Sequence, residues 1–116
     1  MQVTLMIITY NWPEALKRVL DSALHQSMLP SEIEIGDDGS TDKTRQLIES
    51  YAQSSPVPIV HVWQEYKGFR RTSILNKAIA RAKGDYIIQV DGDVILDFHF
   101  IAYHVDVAQK GCFVCG

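Results

Sequence analysis

The sequence has 116 residues, which fits one compact domain, and its apolar fraction of 47% is ordinary for a soluble globular protein. The formal net charge is −3 and lysine and arginine form no long run, so composition gives no reason to expect nucleic-acid binding, and a membrane surface is likewise not indicated. No apolar run approaches the roughly 18 residues that a membrane-spanning helix needs.

Strand and helix signals alternate from the beginning of the chain. Residues 3–9 form a continuous apolar run, which predicts a buried strand, and this N-terminus lacks the basic start and cleavage site of a signal peptide. Asn11 is predicted to cap the helix that follows, with Pro13 in its first turn. The apolar stripe of that helix consists of Leu16, Val19, Leu20, Ala23 and Leu24.

The remaining elements continue the alternation. In chain order we predict a strand over 32–35, a helix capped by Ser40-Thr41-Asp42 with the stripe Leu47, Ile48 and Tyr51, a strand over 59–63, a loop over 64–71, a helix with the stripe Ile74, Leu75, Ala78, Ile79 and Ala82, a strand over 85–90, a helix over about 97–109 and a strand from 112. The pattern predicts an α/β fold of Rossmann-like type, with a mostly parallel sheet and helices on both faces.

Residues 1–116 are expected to form a single domain, because no linker, repeat or low-complexity tract divides them. The chain stops inside the strand predicted from 112, so we expect it to be a fragment of a longer protein. Cys112 and Cys115 lie in this last strand, and we interpret them as buried free thiols. Free thiols suit a cytoplasmic protein, and a peripheral position at a membrane stays open.

Polar residues follow each of the first four predicted strands. In open parallel sheets ligands bind beyond the carboxyl ends of the strands, so we expect these residues to converge on one edge. They are Thr9-Tyr10-Asn11 after the first strand, Asp37-Asp38-Gly39-Ser40 after the second, Glu65, Lys67, Arg70 and Arg71 after the third, and Asp91-Gly92-Asp93 after the fourth.

Asp91 and Asp93 are the candidate metal ligands. Two carboxylates one residue apart would repel each other, and a divalent cation removes that conflict. Magnesium and manganese prefer oxygen ligands and commonly share substrate phosphates as further ligands. Gly92 allows a tight turn or a close approach of the backbone to a ligand. The alternative reading of this triplet is a solvated turn after a strand.

Asp37 and Asp38 can accept hydrogen bonds from a nucleobase or from ribose hydroxyls. Capping of the next helix is the alternative, since acidic residues are favourable there in any case. The acidic pair of phospho-acceptor receiver domains is disfavoured, because the third strand has no aspartate at its end. Arg70 and Arg71, together with Lys67, suit phosphate binding. The four histidines have no ligand spacing and are interpreted as structural or exposed.

Taken together and in this order, these segments resemble glycosyltransferase family 2, which has the GT-A fold. The resemblance is carried by Thr9-Tyr10-Asn11, Asp37-Asp38-Gly39-Ser40-Thr41-Asp42, Gly68-Phe69-Arg70-Arg71, Asn76-Lys77-Ala78-Ile79, Lys83-Gly84-Asp85-Tyr86-Ile87 and Asp91-Gly92-Asp93. It covers nearly the whole chain, but only the nucleotide-binding half of a typical member. The Gly-Phe-Arg-Arg segment looks closest to galactosyl- and N-acetylgalactosaminyl-transferases that build bacterial polysaccharides.

The resemblance implies a role for each site residue. Thr9, Tyr10 and Asn11 would line the nucleoside pocket. Asp38 would bind the base, usually uracil, and Asp37 would support the same loop. Arg71 or Arg70 would face the phosphates, Asp91 would contact ribose or a metal-bound water, and Asp93 would ligate Mn²⁺ or Mg²⁺. The implied reaction is inverting transfer of a sugar from a nucleoside diphosphate sugar to the hydroxyl of a glycan or other acceptor.

The family's catalytic base lies in its second half, so the resemblance places the base beyond residue 116 and this chain alone is expected to be inactive. Two other functions stay open. A nucleotidyltransferase also uses a Rossmann-like sheet, although the first strand here lacks the glycine-rich loop of that class. A non-catalytic nucleotide-binding or assembly module is the other possibility. An exposed sheet edge would favour self-association, so we expect a dimer or larger species.

Overall fold

The computed structural model of the chain describes residues 2–10, 12–37, 39–40, 42–64, 71–81 and 86–109, with the backbone alone at 71–73, 75, 78, 108 and 109. Strands and helices alternate in these residues. They are β1 (Val3–Thr9), α1 (Pro13–Leu24), β2 (Glu32–Asp37), α2 (Asp42–Ser54), β3 (Ile59–Trp63), α3 (Arg71–Arg81), β4 (Tyr86–Asp91) and α4 (Phe100–Gln109).

The strands form one parallel sheet in the order β3-β2-β1-β4. This confirms the predicted α/β fold with a parallel sheet. The strand predicted from 112, with Cys112 and Cys115, lies outside the described residues. No helix in the described ranges is both long and apolar enough to cross a bilayer.

Side chains of the central strand β1 alternate between two apolar layers, as the two-residue period of a strand requires. Leu5 and Ile7 belong to a core shared with α1, α2 and α4. Met6 and Ile8 point the other way and form a second, smaller core with Ile74 of α3. Every residue of β1 is buried, which explains its uninterrupted apolar sequence. Helices therefore cover both faces of the sheet, as predicted.

Several elements differ in extent from the prediction. β4 continues through Asp91, and α3 begins at Arg71, the last residue of the predicted loop. β2 continues through Gly36 and Asp37, because these residues keep the parallel register with the end of β1. α4 begins at Phe100 and not near 97. The Asp97 carboxylate accepts a hydrogen bond from the His99 amide (3.1 Å), and the Asp97 carbonyl accepts one from the Phe100 amide (3.0 Å). Asp97 thus forms a turn that precedes the helix.

Two local predictions on the helices need correction. The N-cap position of α1 is Trp12, with no side-chain capping bond, and Pro13 is the first helical residue as expected. Asn11, the predicted cap, lies outside the described residues. On α3, Ile74 is buried, but Ile79 is 50% exposed and does not belong to the buried stripe. The other predicted members of that stripe, Leu75, Ala78 and Ala82, have no described side chains.

Candidate functional site

The parallel registers bring the carboxyl ends of the four strands to one edge of the sheet. Thr9 of β1 lies opposite Asp37 of β2, and Asp37 lies opposite Trp63 of β3. On the other side of β1, Ile8 lies opposite Asp91 of β4. The strand ends that the sequence marked as polar are therefore neighbours, and this edge is the candidate site.

Asp91-Gly92-Asp93 forms a turn fastened to the end of β1. The Gly92 amide donates to the Ile8 carbonyl (2.7 Å), and the Val94 amide donates to the Asp91 carbonyl (3.3 Å). A Cβ atom added at Gly92 would lie 2.9 Å from that Ile8 oxygen and 3.0 Å from the Cβ and Oγ1 atoms of Thr9. The sequence needs glycine here because β1 passes too close for any side chain.

The carboxylates on either side of Gly92 fit a divalent cation that is shared with a ligand. Asp91 and Asp93 are both exposed at this edge. No group of three histidine, cysteine or acidic side chains that could enclose a metal occurs in the described parts of the chain. Magnesium and manganese sites commonly use one or two carboxylates and take their other ligands from water and phosphate. Such a shell suits this pair.

Thr9 and Tyr10 occupy different environments at the end of β1. Thr9 is buried against Gly92, whereas Tyr10 exposes 44% of its surface at the edge. The predicted nucleotide-binding residues Asn11, Asp38 and Arg70 lie outside the described residues, as does Lys67.

The other predicted phosphate-binding residue, Arg71, is described by its backbone alone. It begins α3. Ile74, one turn further along α3, packs with Ile8 and Val62 close to the carboxyl ends of β1 and β3. This packing brings the start of α3 near the candidate site.

Asp37 is buried beneath the edge, with only 1% of its surface exposed. Its Oδ1 accepts a hydrogen bond from the Ser40 amide (2.9 Å), and its Oδ2 lies 2.8 Å from His61 Nε2. Its backbone carbonyl accepts a hydrogen bond from the Gln64 amide (3.0 Å). Among the predicted roles of Asp37, these contacts favour support of the loop over direct contact with a nucleotide.

His61 is the functional candidate that sequence reasoning did not single out. Its ring lies on the same face of the sheet as Asp37, because His61 pairs with Ile35 and Asp37 follows two residues later. A histidine in an otherwise apolar strand next to an acidic strand end was the available signal. That signal becomes specific only when β3 is known to lie beside β2.

The segment after Asp93 is held against the end of α1. Gln26 donates from Nε2 to the Asp97 carbonyl (2.5 Å) and accepts at Oε1 from the Ile101 amide (3.0 Å). The Ser22 hydroxyl accepts from the Leu96 amide (3.0 Å). These bonds fix the path of the chain as it leaves the Asp91-Gly92-Asp93 turn.

Comparison with known proteins identifies the family. Residues 4–116 match the family described as Glycosyl transferase family 2. The chain belongs to this family. The resemblance inferred from the order of the short motifs is confirmed, and the match extends over nearly the whole chain.

The chain is similar to a chondroitin synthase from Escherichia coli, with 34% identity over 108 residues. That alignment covers 93% of this chain and 15% of the synthase. The chain spans a third or less of the length of the first curated relatives it matches.

Solved structures share the fold of this chain. TarS of Staphylococcus aureus, residues 1–349 in complex with UDP, has a TM-score of 0.82 at 23% identity, over 95% of this chain and 32% of that one. The mannosyltransferase PcManGT of Pyrobaculum calidifontis, in complex with GDP-Man and Mn²⁺, has a TM-score of 0.69 at 28% identity, over 79% of this chain and 27% of that one.

Proposed function

We propose that this chain is the donor-binding part of an inverting glycosyltransferase that uses a UDP-sugar. The observation that carries the proposal is the Asp91-Gly92-Asp93 turn, because Gly92 is bonded to the end of β1 and both carboxylates are exposed at the edge. PcManGT, with a similar fold, binds a nucleoside diphosphate sugar together with Mn²⁺. The same fold accommodates UDP in TarS. Both observations support a metal-dependent nucleotide-sugar site at this edge.

The proposed roles follow the positions of the residues. Asp93, assisted by Asp91, would hold Mn²⁺ or Mg²⁺, which when bound supplies a Lewis acid that neutralises charge on the departing diphosphate. Thr9, Tyr10 and Asn11 would line the nucleoside pocket at the end of β1. The remaining contacts are Asp38 to the base and Arg70 or Arg71 to the phosphates.

The chain is proposed to form one domain of a longer enzyme, with the catalytic base and the acceptor contacts in another part of that enzyme. The chondroitin synthase relative and the Gly68-Phe69-Arg70-Arg71 segment both favour an enzyme of bacterial polysaccharide synthesis. Within that class, the segment favours galactose or N-acetylgalactosamine as the donor sugar. The 116-residue chain would then bind donor without completing the transfer.

Thermal unfolding of the chain with UDP, with Mn²⁺ and with both tests the proposal. We expect a rise in melting temperature that needs both components, because ligands that bind only the folded state stabilise it. Asp93→Asn should remove most of this rise. Glu49→Gln provides the matched control, since Glu49 is an exposed carboxylate on α2 that pairs with Arg45 at 3.9 Å.

The outcomes of this experiment separate the parts of the proposal. No stabilisation of the unsubstituted chain, or equal stabilisation of Asp93→Asn, would contradict the metal-dependent donor site. Stabilisation by GDP with Mn²⁺ but not by UDP with Mn²⁺ would keep the diphosphate site and contradict uracil as the preferred base.

A further inference from the structure

We propose that His61 and Trp63, on the edge strand β3, are positioning residues for recognition of the donor base. They would act through the turn that joins Asp37 to Ser40 and contains Asp38. The inference rests on the proposed function, and it adds a specificity role for β3, a strand that supplies none of the predicted ligands of the base.

The turn is anchored to β3 at both of its ends. At the first end, Asp37 Oδ2 lies 2.8 Å from His61 Nε2, and the Asp37 carbonyl accepts from the Gln64 amide at 3.0 Å. At the second end, the Ser40 carbonyl accepts a hydrogen bond from Trp63 Nε1 (3.2 Å). Asp37 Oδ1 also accepts from the Ser40 amide (2.9 Å), which closes the turn on itself.

The direction of the bond between Asp37 and His61 follows from the chemistry of its partners. A carboxylate oxygen accepts hydrogen bonds, so the contact is made by the tautomer of His61 that carries its proton on Nε2. The carboxylate is 1% exposed, and water cannot readily replace a lost donor there. A hydrogen bond to a buried charged group is among the stronger ones in proteins. His61 is therefore a main determinant of where the Asp37 carboxylate lies.

Gly39 adds a constraint between the two anchors. Gly39 has a φ of 84°, in the left-handed region, which reverses the chain within the turn. In the sequence, Asp38 is the residue between the anchored Asp37 and Gly39. Loss of an anchor on β3 should shift Asp38 relative to the base.

The Asp91-Gly92-Asp93 turn is held in place by other elements of the fold. The Gly92 amide is hydrogen-bonded to Ile8 of β1, and the chain after Asp93 is hydrogen-bonded to Ser22 of α1 and to Gln26 just after that helix. Neither anchor involves β3. A substitution at His61 should therefore weaken contacts to the base and leave contacts to the metal and diphosphate in place.

The experiment compares two ligands, UDP and ribose 5-diphosphate, which lacks the base, each titrated with Mn²⁺ by calorimetry. For His61→Ala we expect UDP affinity to fall about tenfold, the size of effect given by one lost hydrogen bond to a charged group, and affinity for the base-free ligand to change less than about twofold. For Trp63→Phe, which removes the indole donor and keeps an aromatic ring, we expect a smaller loss of the same selective kind.

Two further variants separate positioning from general damage. His61→Gln places an amide donor near the position of Nε2, and it should recover most of the UDP affinity. His25→Ala is the matched control, because His25 is exposed at the end of α1 and contacts the Asp21 carbonyl (2.7 Å). It should change neither affinity. If His61→Ala does not fold, the other two variants carry the test. Trp63→Phe should lose UDP affinity selectively, and His61→Gln should keep most of it.

An equal loss for both ligands in His61→Ala, or no loss for either, would overturn the inference. So would a loss in His61→Gln as large as in His61→Ala. Failure of the unsubstituted chain to bind either ligand with Mn²⁺ would overturn the proposed function and this inference with it. If the unsubstituted chain binds both ligands but His61→Ala shows no selective loss of UDP affinity, the proposed function stands and only this inference fails.

Discussion

Gly92 lies closer to the central strand β1 than a residue with a side chain could. The space for a Cβ is closed on one side by the backbone oxygen of Ile8 and on the other by Thr9, itself buried. A contact with the far end of a flexible side chain could be relieved by rotation, whereas a contact with backbone inside a sheet cannot. The close approach of the Asp91-Gly92-Asp93 turn to the end of β1 therefore depends on the absence of a side chain at Gly92.

Gly92→Ala should lower the free energy of unfolding by about 1–3 kcal/mol, the usual cost of forcing an extra carbon into a packed position. It should also weaken Mn²⁺-dependent UDP binding, because relief of the contact moves both aspartates away from β1. Urea unfolding and calorimetric titration check the two effects. Val94→Ala, at an exposed neighbour, should change stability by less than about 0.5 kcal/mol. An equally small effect of Gly92→Ala would contradict this account of the turn.

Glu34 is a second residue whose environment is unusual. It lies in the middle of β2, is 0% exposed, and neither carboxylate oxygen has a hydrogen-bond partner among the described residues. The neighbouring Glu32 does have one, since its Oε2 accepts from the Thr4 hydroxyl at 2.6 Å. Burial, followed by the charge of Glu32, raises the pKa of Glu34 from 4.5 to about 7, and Arg81 opposes the shift.

A carboxyl with a raised pKa in the folded state makes stability fall as pH rises. The contribution of Glu34 to the free energy of unfolding is fully present below the unfolded pKa of 4.5. It decreases as the pH rises towards about 7 and no longer changes above that pH. The total is roughly 3 kcal/mol, at 1.36 kcal/mol for each pKa unit. The glutamine in Glu34→Gln cannot ionise. The free energy of unfolding of this variant, relative to that of the unsubstituted chain, should therefore increase by about 1–3 kcal/mol as the pH rises from 5 to 8.

Urea unfolding at the two pH values measures this difference directly, and the effects of all other titrating groups cancel because both chains carry them. Glu49→Gln, at an exposed carboxylate on α2, should show the same difference from the unsubstituted chain at both pH values. If Glu34→Gln also behaved in that way, the pKa of Glu34 would not be raised as stated.

At the scale of elements, the local sequence predicts the presence of a strand or helix more accurately than it predicts the residues at which that element begins and ends. β1 was predicted over 3–9 because seven consecutive buried positions leave a clear apolar run. The start of α4 could not be predicted in the same way. Besides the Asp97 turn, it involves Gln26, 71 residues away from Asp97 in the sequence, which donates to the Asp97 carbonyl and accepts from the Ile101 amide. Such a contact leaves no periodic signal.

The candidate site shows the same division. Convergence of the strand ends followed from parallel pairing, which the alternation of strands and helices predicted. The bond between His61 and Asp37 depends on the additional fact that β3 is the neighbour of β2. Burial of Asp37 likewise depends on that neighbour. Pattern alone therefore grouped Asp37 with the ligands, while its carboxylate is used within the protein.

At the scale of the whole molecule, several exposed apolar side chains follow the outer strand β4 in the sequence. In the described part of the sheet, β3 and β4 are the outer strands. The chain that leaves β4 exposes Val94, Ile95, Phe98 and Tyr103, each between 43% and 65%. Apolar surface next to an outer strand favours association with another chain.

We therefore expect the 116-residue chain to form a dimer or larger species, with the β4 side at the contact. Light scattering coupled to size exclusion should give a mass that rises with concentration in the micromolar range. The double variant Ile95→Lys with Phe98→Lys places two charges on this surface and should shift the chain towards the monomer. The matched double variant Ile79→Lys with Ala80→Lys, on exposed residues of α3, should not. A monomer at every concentration, or an equal effect of both double variants, would contradict association through the β4 side.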